Sequence, residues 1–414
     1  MAKKRDIEGN RLYHFELSDK NRTVRWILIG LLLAVGAVAL ITGLIGALQT
    51  PAGWQAVSVT SGKLNCAHAF SFQYDLGAGK ESATDERKAL TVYYSQLTEK
   101  AWELFYNESG ETEEKGICYL NNHPNEAVEV GEGLYEALRV FKNMDSRAIF
   151  LAPIYSVYNR VIYSDNFVEA EGHDPAQNED TAQYVAQLVA FAGDPQAVSL
   201  ELLSGNKVKL TVSESYLQFA KENELLFFVD FGWLKNAAAA DYIADNLVDA
   251  GYTNGYLTSV DGYVRNLDSR GTNYDLNVFR KGASGGQLTA LVDYQGPVAM
   301  VMLRSFPMYQ EDADRYYCFE NGRIVTTMID PADGMSKAAT DSLIAYGKDK
   351  GCLELAIKLM PIYVAETLSE DSLNALTKDG IYSLWIAHKE IRYNQPGFAV
   401  ESKDPDYKAV AVTY

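Results

Sequence analysis

The first candidates for chemistry are acidic residues set beside glycines. Asp230-Phe231-Gly232 follows an unbroken apolar run, residues 225–229, and precedes a helical pattern that runs to about residue 250. A turn that opens a helix can hold a phosphate or a metal. The first N–H groups of a helix lack intrahelical partners, and its positive dipole end favours anions. Two later segments repeat the pairing. Asp261-Gly262 interrupts the strand-like stretch 258–264, and Asp330-Pro331-Ala332-Asp333-Gly334 closes the run 323–329. Taken alone, the last is better explained by turn chemistry than by metal binding, because Asp, Pro and Gly each favour tight turns.

These residues need elements to hold them. Residues 225–229 read as a buried strand. In the helix after it, Ala239, Ala240, Ile243, Ala244, Leu247 and Val248 form one apolar stripe, while Asp241, Asp245 and Asp249 recur on the other side. Gly251 stands where a C-terminal cap glycine belongs. Upstream, the pattern predicts a strand at 69–74, helices near 90–104, 131–142 and 181–191, and a hairpin over 198–212 turning at 204–206. Residues 148–163 are compatible with helix or strand. Downstream come strands at 255–264, 274–279, 288–292, 298–303, 323–329, 342–346 and 381–387. Helices are expected near 353–359, ended or kinked by Pro361, and 369–376. Strands without intervening helices argue for an α+β, mixed layered domain over a doubly wound parallel sheet.

Several chemistries are excluded. No GxGxxG, GxxxxGK[ST] or HExxH pattern occurs, and no glycine-rich loop or HRD segment accompanies Asp230-Phe231-Gly232 to suggest a kinase. The cysteines Cys66, Cys118, Cys318 and Cys352 form no CxxC, so no zinc site is expected; one or two disulfides stay open. The five histidines are scattered. A formal net charge of -18 repels phosphate backbones and argues against nucleic acid as a partner.

Three segments together carry a family resemblance: Asp230–Asp241 (DFGWLKNAAAAD), Thr258–Val264 (TSVDGYV), and Asn321-Gly322-Arg323 followed by Ile329-Asp330-Pro331-Ala332-Asp333-Gly334. In order and spacing they resemble the FAD:protein FMN transferase family (ApbE-like), with its DLGGIAKGYAAD-like helix, NLGGD-like strand and dGk…HIIDPxTG-like loop. The resemblance covers about residues 66–393 and includes the pair Leu120-Asn121. It implies a mixed layered α/β fold, FAD as substrate and Mg as cofactor. It also implies an exported flavoprotein or a surface protein as partner. Asp230 and Asp330 would stand near the reacting pyrophosphate. Gly232, Asn236, Gly262 and Gly334 would contact the flavin nucleotide, and Glu354 the metal.

The chain also departs from the family pattern. Asn236 stands where the family has lysine, Ala237 where it has glycine, Trp233 at the second glycine of its turn, and Thr327 at its histidine. Lys358 falls at a metal-ligand position, where a cation opposes Mg. Transfer of FMN from FAD is phosphoryl transfer at a pyrophosphate, which depends on positioning and charge neutralisation. Each missing electrostatic partner costs about 2.7–4 kcal/mol in a barrier. The reading is therefore a degenerate member with impaired catalysis. The alternative is a non-catalytic flavin- or protein-binding module.

The N-terminal region supplies the location. Residues 1–25 form a basic-flanked tail, and 26–48 carry no charge. A helix of that length reaches about 35 Å, enough to cross a bilayer. The preceding positive flank predicts a cytoplasmic N-terminus and an extracytoplasmic bulk. The expected layout is a tail at 1–25, a span at 26–48, a connector at 49–64, the domain at 65–395 and a C-terminal tail at 396–414.

Overall fold

The computed structural model describes residues 30–33, 35–38, 50–79, 82–283, 285–309, 312, 315–395 and 398–412. Two compact units divide it, Met1–Pro51 and Ala52–Tyr414. In the first, residues 30–33 and 35–38 are helical with exposed apolar side chains. Most of the predicted span 26–48 lies outside the described residues. Among the described residues no helix is long and apolar enough to cross a membrane.

The second unit opens on strand β1 (Gly53–Val57), which pairs with β2 (Phe70–Leu76). Part of the expected connector 49–64 is thus an edge strand of the domain. Next come α1 (Ala83–Phe105), capped by Ser82 accepting from Asp85 N, and the short α2 (Ile117–Asn122). A side assembly follows: β3 (Ala127–Glu129), α3 (Glu132–Asn143), α4 (Ala152–Ile162), α5 (Phe167–His173), α6 (Glu179–Gly193), the hairpin β4 (Val198–Leu203) and β5 (Lys207–Val212), and α7 (Glu214–Glu222). The stretch 148–163 is therefore helical where periodicity left it open.

After α8 (Lys235–Asp249) the chain is mostly strand, as the spacing predicts. Strands β6 (Gly255–Ser259), β7 (Tyr263–Asn266), β8 (Asn273–Gly282), β9 (Gly285–Gln295) and β10 (Val298–Arg304) lead to the small hairpin β11 (Tyr316–Cys318) and β12 (Ile324–Thr326). Then come β13 (Ser342–Gly347), α9 (Cys352–Tyr363), α10 (Glu370–Ala375), β14 (Ile381–Ala387), β15 (Glu390–Tyr393), β16 (Ala399–Ser402) and β17 (Lys408–Ala411). Helix α9 runs through Pro361 to Tyr363. It ends within a turn of the proline, so the missing donor removes a bond only from the last turn. The expected tail 396–414 is part of the domain, since β16 pairs with β9 and β17 with β15.

The main sheet has nine strands in the order β1-β2-β6-β7-β10-β13-β14-β15-β17. All its pairs are antiparallel except β15 with β17. Successive strand residues point to opposite faces, so a sheet covered on both sides reads as continuously apolar. Strand β13 shows this: every residue is buried, Leu343 and Ala345 toward the helices, Ile344 toward the small sheet β16-β9-β8. The layers are therefore helices, nine-stranded sheet and three-stranded sheet. The alanines Ala237–Ala240 and Ala244 of α8 are buried, and their small side chains let α1, α9 and the sheet close around that helix.

Residues 225–229 differ from the expected strand. They pair with no strand, and Leu226 is exposed. The buried side chain of Asn121 takes the place of a neighbouring strand. Its Oδ1 accepts from the N–H groups of Phe228 (2.9 Å) and Val229 (3.0 Å), and its Nδ2 donates to the Val229 carbonyl at 2.8 Å. An apolar run identifies burial but not which group satisfies its backbone.

A buried ion pair pins the β11–β12 hairpin to the helical side. Asp174 is fully buried and accepts both guanidinium nitrogens of Arg323, with Gln177 Nε2 at 3.0 Å. Burial alone would raise this carboxyl; Arg323, Gln177 and the Ala176 N–H outweigh it and hold it below the usual range. A depressed carboxyl contributes stability above its unfolded pKa that is lost as pH falls through the folded one. Asp174→Asn is expected to cost about 1.5–3 kcal/mol near neutrality. In urea unfolding as a function of pH, the gap between wild type and variant should close at acid pH.

Candidate functional site

Asp230 ends the irregular segment held by Asn121. Its N–H donates to the Ile149 carbonyl at 2.9 Å. One carboxylate oxygen accepts from Asn107 Nδ2, the other from the Gly232 N–H at 2.5 Å. Asn107 is in turn held by Asn121 Nδ2 at 2.8 Å. A buried relay from Leu120-Asn121 therefore aims Asp230. Gly232 has φ of +55°, and a Cβ placed there would stand 2.2 Å from the Tyr155 ring. This turn requires glycine for its backbone and for the ring that packs over it. From Gly232 a 3-10 turn passes into α8, which ends as expected: Gly251 has φ of +88°, and the Tyr252 N–H bonds the Leu247 carbonyl at 2.8 Å.

This turn forms one wall of a cleft of about 410 Å³. Asp230, Gly232, Trp233, Lys235 and Asn236 contribute from the α8 side. The β6–β7 turn adds Val260 and Asp261, and β10 and the β11–β12 hairpin add Arg304, Arg315, Tyr316 and Thr327. His68, Tyr106 and Tyr155 complete it. Asn236 bridges two walls: it accepts from Tyr106 Oη at 2.7 Å and donates to Asp261 Oδ2 at 2.9 Å. Asp261 Oδ1 accepts from Ser259 Oγ at 2.5 Å. Burial pushes the Asp261 carboxyl up, opposed by the Ser259 and Asn236 bonds and by Arg315. Lys235 lies 4.7 Å over the Tyr106 ring and 3.5 Å from Glu108. Arg315 reaches the Val260 carbonyl and Asp312. Trp233 packs into the wall at 8% exposure, its hydroxyl-bearing neighbour Tyr263 donating to its carbonyl at 2.9 Å. The Trp233 Nε1–H is buried and has no hydrogen-bond partner among the described residues.

The remaining sequence-derived residues lie outside this lining. Asp330 caps its own turn, accepting from the Ala332 N–H at 2.9 Å, and pairs with Lys337 at 3.1 Å. Asp333 and Glu366 share that lysine. Gly334 packs on Val185 and Val189, and Gly262 packs its turn against the Met302 carbonyl. Glu354 sits at the start of α9, 2.8 Å from Lys350, and lines a separate cavity of about 860 Å³ with Asp241 and Arg265. Asp230 and Glu354 thus line different cavities. Lys358 is paired with Asp379. Among the described residues no three His, Cys, Asp or Glu side chains are grouped to hold a metal ion. The donor set that the resemblance implies for Mg does not assemble in the cleft: Glu354 lines the other cavity and Asp330 is paired with Lys337 outside the lining. His68, Tyr106, Arg304 and Arg315 carry no local motif. They come from three separate stretches, around residues 68, 106 and 304–315, and only tertiary folding brings them to one cleft.

No family model matches the chain, and no curated protein matches its sequence. Solved structures do match in fold. The ApbE protein of Thermotoga maritima has a TM-score of 0.55 at 13% identity, covering 85% of this chain and 97% of that one. The flavin transferase ApbE of Vibrio cholerae has a TM-score of 0.52 at 14% identity, again covering 85% of this chain and 97% of that one.

Proposed function

We propose, on the premise of the ApbE-like fold that this chain has, that the cleft at the head of α8 binds a flavin dinucleotide and transfers its FMN half weakly or not at all. The reading rests on one contrast. The cleft offers rings and cations, whereas Asp330 and Glu354 pair with lysines outside it, and Asp230 and Asp261 within it are held by neighbouring protein donors. Tyr155, Trp233 and Tyr316 line it with aromatic surface for an isoalloxazine or adenine ring, and Lys235, Arg304 and Arg315 supply charge for a pyrophosphate. A cleft of about 410 Å³ falls within the range of small-molecule sites. A bound flavin dinucleotide would supply the phosphoanhydride whose cleavage releases FMN. The chain's own residues position it: Gly232 keeps the wall open, Asn236 ties Tyr106 to Asp261, and Asp230 holds the turn. Asp330 and Glu354, each bonded to a lysine, lie outside this cleft.

The uncharged stretch 26–48 and its basic flank support a membrane anchor with the domain outside, facing an exported flavoprotein or surface protein. Calorimetry of the full chain with FAD, followed by incubation with FAD, Mg and a target flavoprotein domain, tests the reading. Saturable FAD binding with no covalent flavin on the target is expected. Robust flavin transfer would overturn the catalytic half, and absence of FAD binding the ligand half.

A further inference from the structure

The three cations of the cleft at the head of α8 are not equivalent. Lys235 is already engaged, 4.7 Å over the Tyr106 ring and 3.5 Å from Glu108. Arg304, at the end of β10, and Arg315, just before β11, converge on a single atom. Arg304 Nη2 donates to the Val260 carbonyl at 3.5 Å, and Arg315 Nη1 donates to the same oxygen. Val260 is itself fixed, its N–H donating to the Ala69 carbonyl at 2.9 Å.

We propose that the Arg304–Arg315 pair is the phosphate seat of this cleft, so that a flavin nucleotide places its phosphate on the β10 wall and not at the helix head. The proposal rests on the flavin reading above and specifies where in the cleft that ligand is held. Three observations select the arginines.

The helix head is already used. A helix N-terminus attracts anions through N–H groups that lack partners. Here the Gly232 N–H donates to the Asp230 carboxylate at 2.5 Å, the Leu234 N–H to the Phe231 carbonyl at 3.0 Å, and the Lys235 N–H to the Gly232 carbonyl. The turn thus carries its own anion, Asp230, which would repel a phosphate brought to the same place.

The arginines, by contrast, have donors to spare. A guanidinium carries five N–H groups in a fixed fork that matches phosphate oxygens. Among the described residues, the Arg304 guanidinium makes the one long bond to Val260 and pairs with no carboxylate. Arg315 is braced by Asp312. Asp261, next to Val260 in the same turn, has its two oxygens engaged by Ser259 and Asn236.

The pair also repels itself. Burial lowers the Arg315 guanidinium; Tyr316 and Asp261 raise it, and Arg304 lowers it again. Two like charges drawn to one carbonyl in a half-buried wall are unfavourable, and a phosphate bridging them would turn that repulsion into charge-assisted hydrogen bonds.

The test is calorimetry of the full chain with FAD, FMN, riboflavin and inorganic pyrophosphate. FAD and FMN are expected to bind about tenfold or more tighter than riboflavin, which has no phosphate. Arg304→Gln should remove most of that preference and weaken pyrophosphate, while riboflavin affinity, which reports an intact cleft, stays the same. Arg304→Lys should keep part of the preference, and Lys235→Gln should reduce it less than Arg304→Gln does. An unchanged preference in Arg304→Gln, or a larger loss in Lys235→Gln, would overturn the phosphate seat and leave flavin binding standing. Pyrophosphate binding that depends on Arg304 with no flavin binding would support the seat and overturn the flavin reading. Binding of none of the four ligands would overturn both.

Discussion

Replacing Asp241 with alanine is expected to destabilise the domain by about 3–5 kcal/mol, the cost of breaking a largely buried ion pair and leaving two helix N–H groups without their acceptor. Asp241 joins three elements. Its Oδ1 accepts from Arg265 at 2.6 Å and from the Cys352 N–H at 2.7 Å, and its Oδ2 from the Leu353 N–H at 2.9 Å. It therefore caps α9 from α8 while neutralising an arginine on β7. Its side chain is 18% exposed and that of Arg265 13%, so water compensates little when either is removed. Burial raises the Asp241 carboxyl and Arg265 opposes that. Alanine would remove the cap and one of the two carboxylates on Arg265, the other being the more exposed Asp245 at 2.6 Å. Asp241→Asn keeps one acceptor for the helix N–H groups and should fall between. The measurement is the urea midpoint at neutral pH; a loss below about 1 kcal/mol for the alanine variant would show that the cap and ion pair are dispensable.

The second large effect is expected at Gly232. A side chain there adopts left-handed backbone at a cost of about 1–2 kcal/mol. It also presses into Tyr155 at 2.2 Å, and overpacking adds about 1–3 kcal/mol. Gly232→Ala should therefore lower stability by about 2–5 kcal/mol and weaken FAD binding. Tyr155→Ala in the same chain removes the clash but not the backbone strain, so part of the stability should return. Full recovery would assign the whole effect to packing. No change in either stability or FAD binding would show that the turn neither needs glycine nor shapes the cleft.

These two residues illustrate what local sequence conveys. Asp241 and Gly232 both fall in the segment that carries the family resemblance, yet one faces away from the cleft and the other forms its wall. The resemblance places residues in elements; their side depends on how α8 rolls against its neighbours. Asp330 shows the same limit. Its Asp-Pro-x-Asp-Gly spacing specifies a turn, and the turn forms. Whether its carboxylate meets a ligand or Lys337 depends on a residue seven positions on and on Glu366.

The sequence by itself determined the alternation of elements, the hairpin at Val198–Val212, the long apolar helix with its glycine stop, and hence the α+β class. These are short-range properties, set by the period of apolar residues and by turn chemistry. Tertiary structure alone decided three others. Asn121 holds residues 228–229 in place of a strand, the chain after residue 396 returns to both sheets, and His68, Tyr106, Arg304 and Arg315 meet at one cleft while Glu354 lines another. Each is a contact between residues far apart in the chain. Periodicity records that a side chain is buried; it carries no record of which distant group buries it.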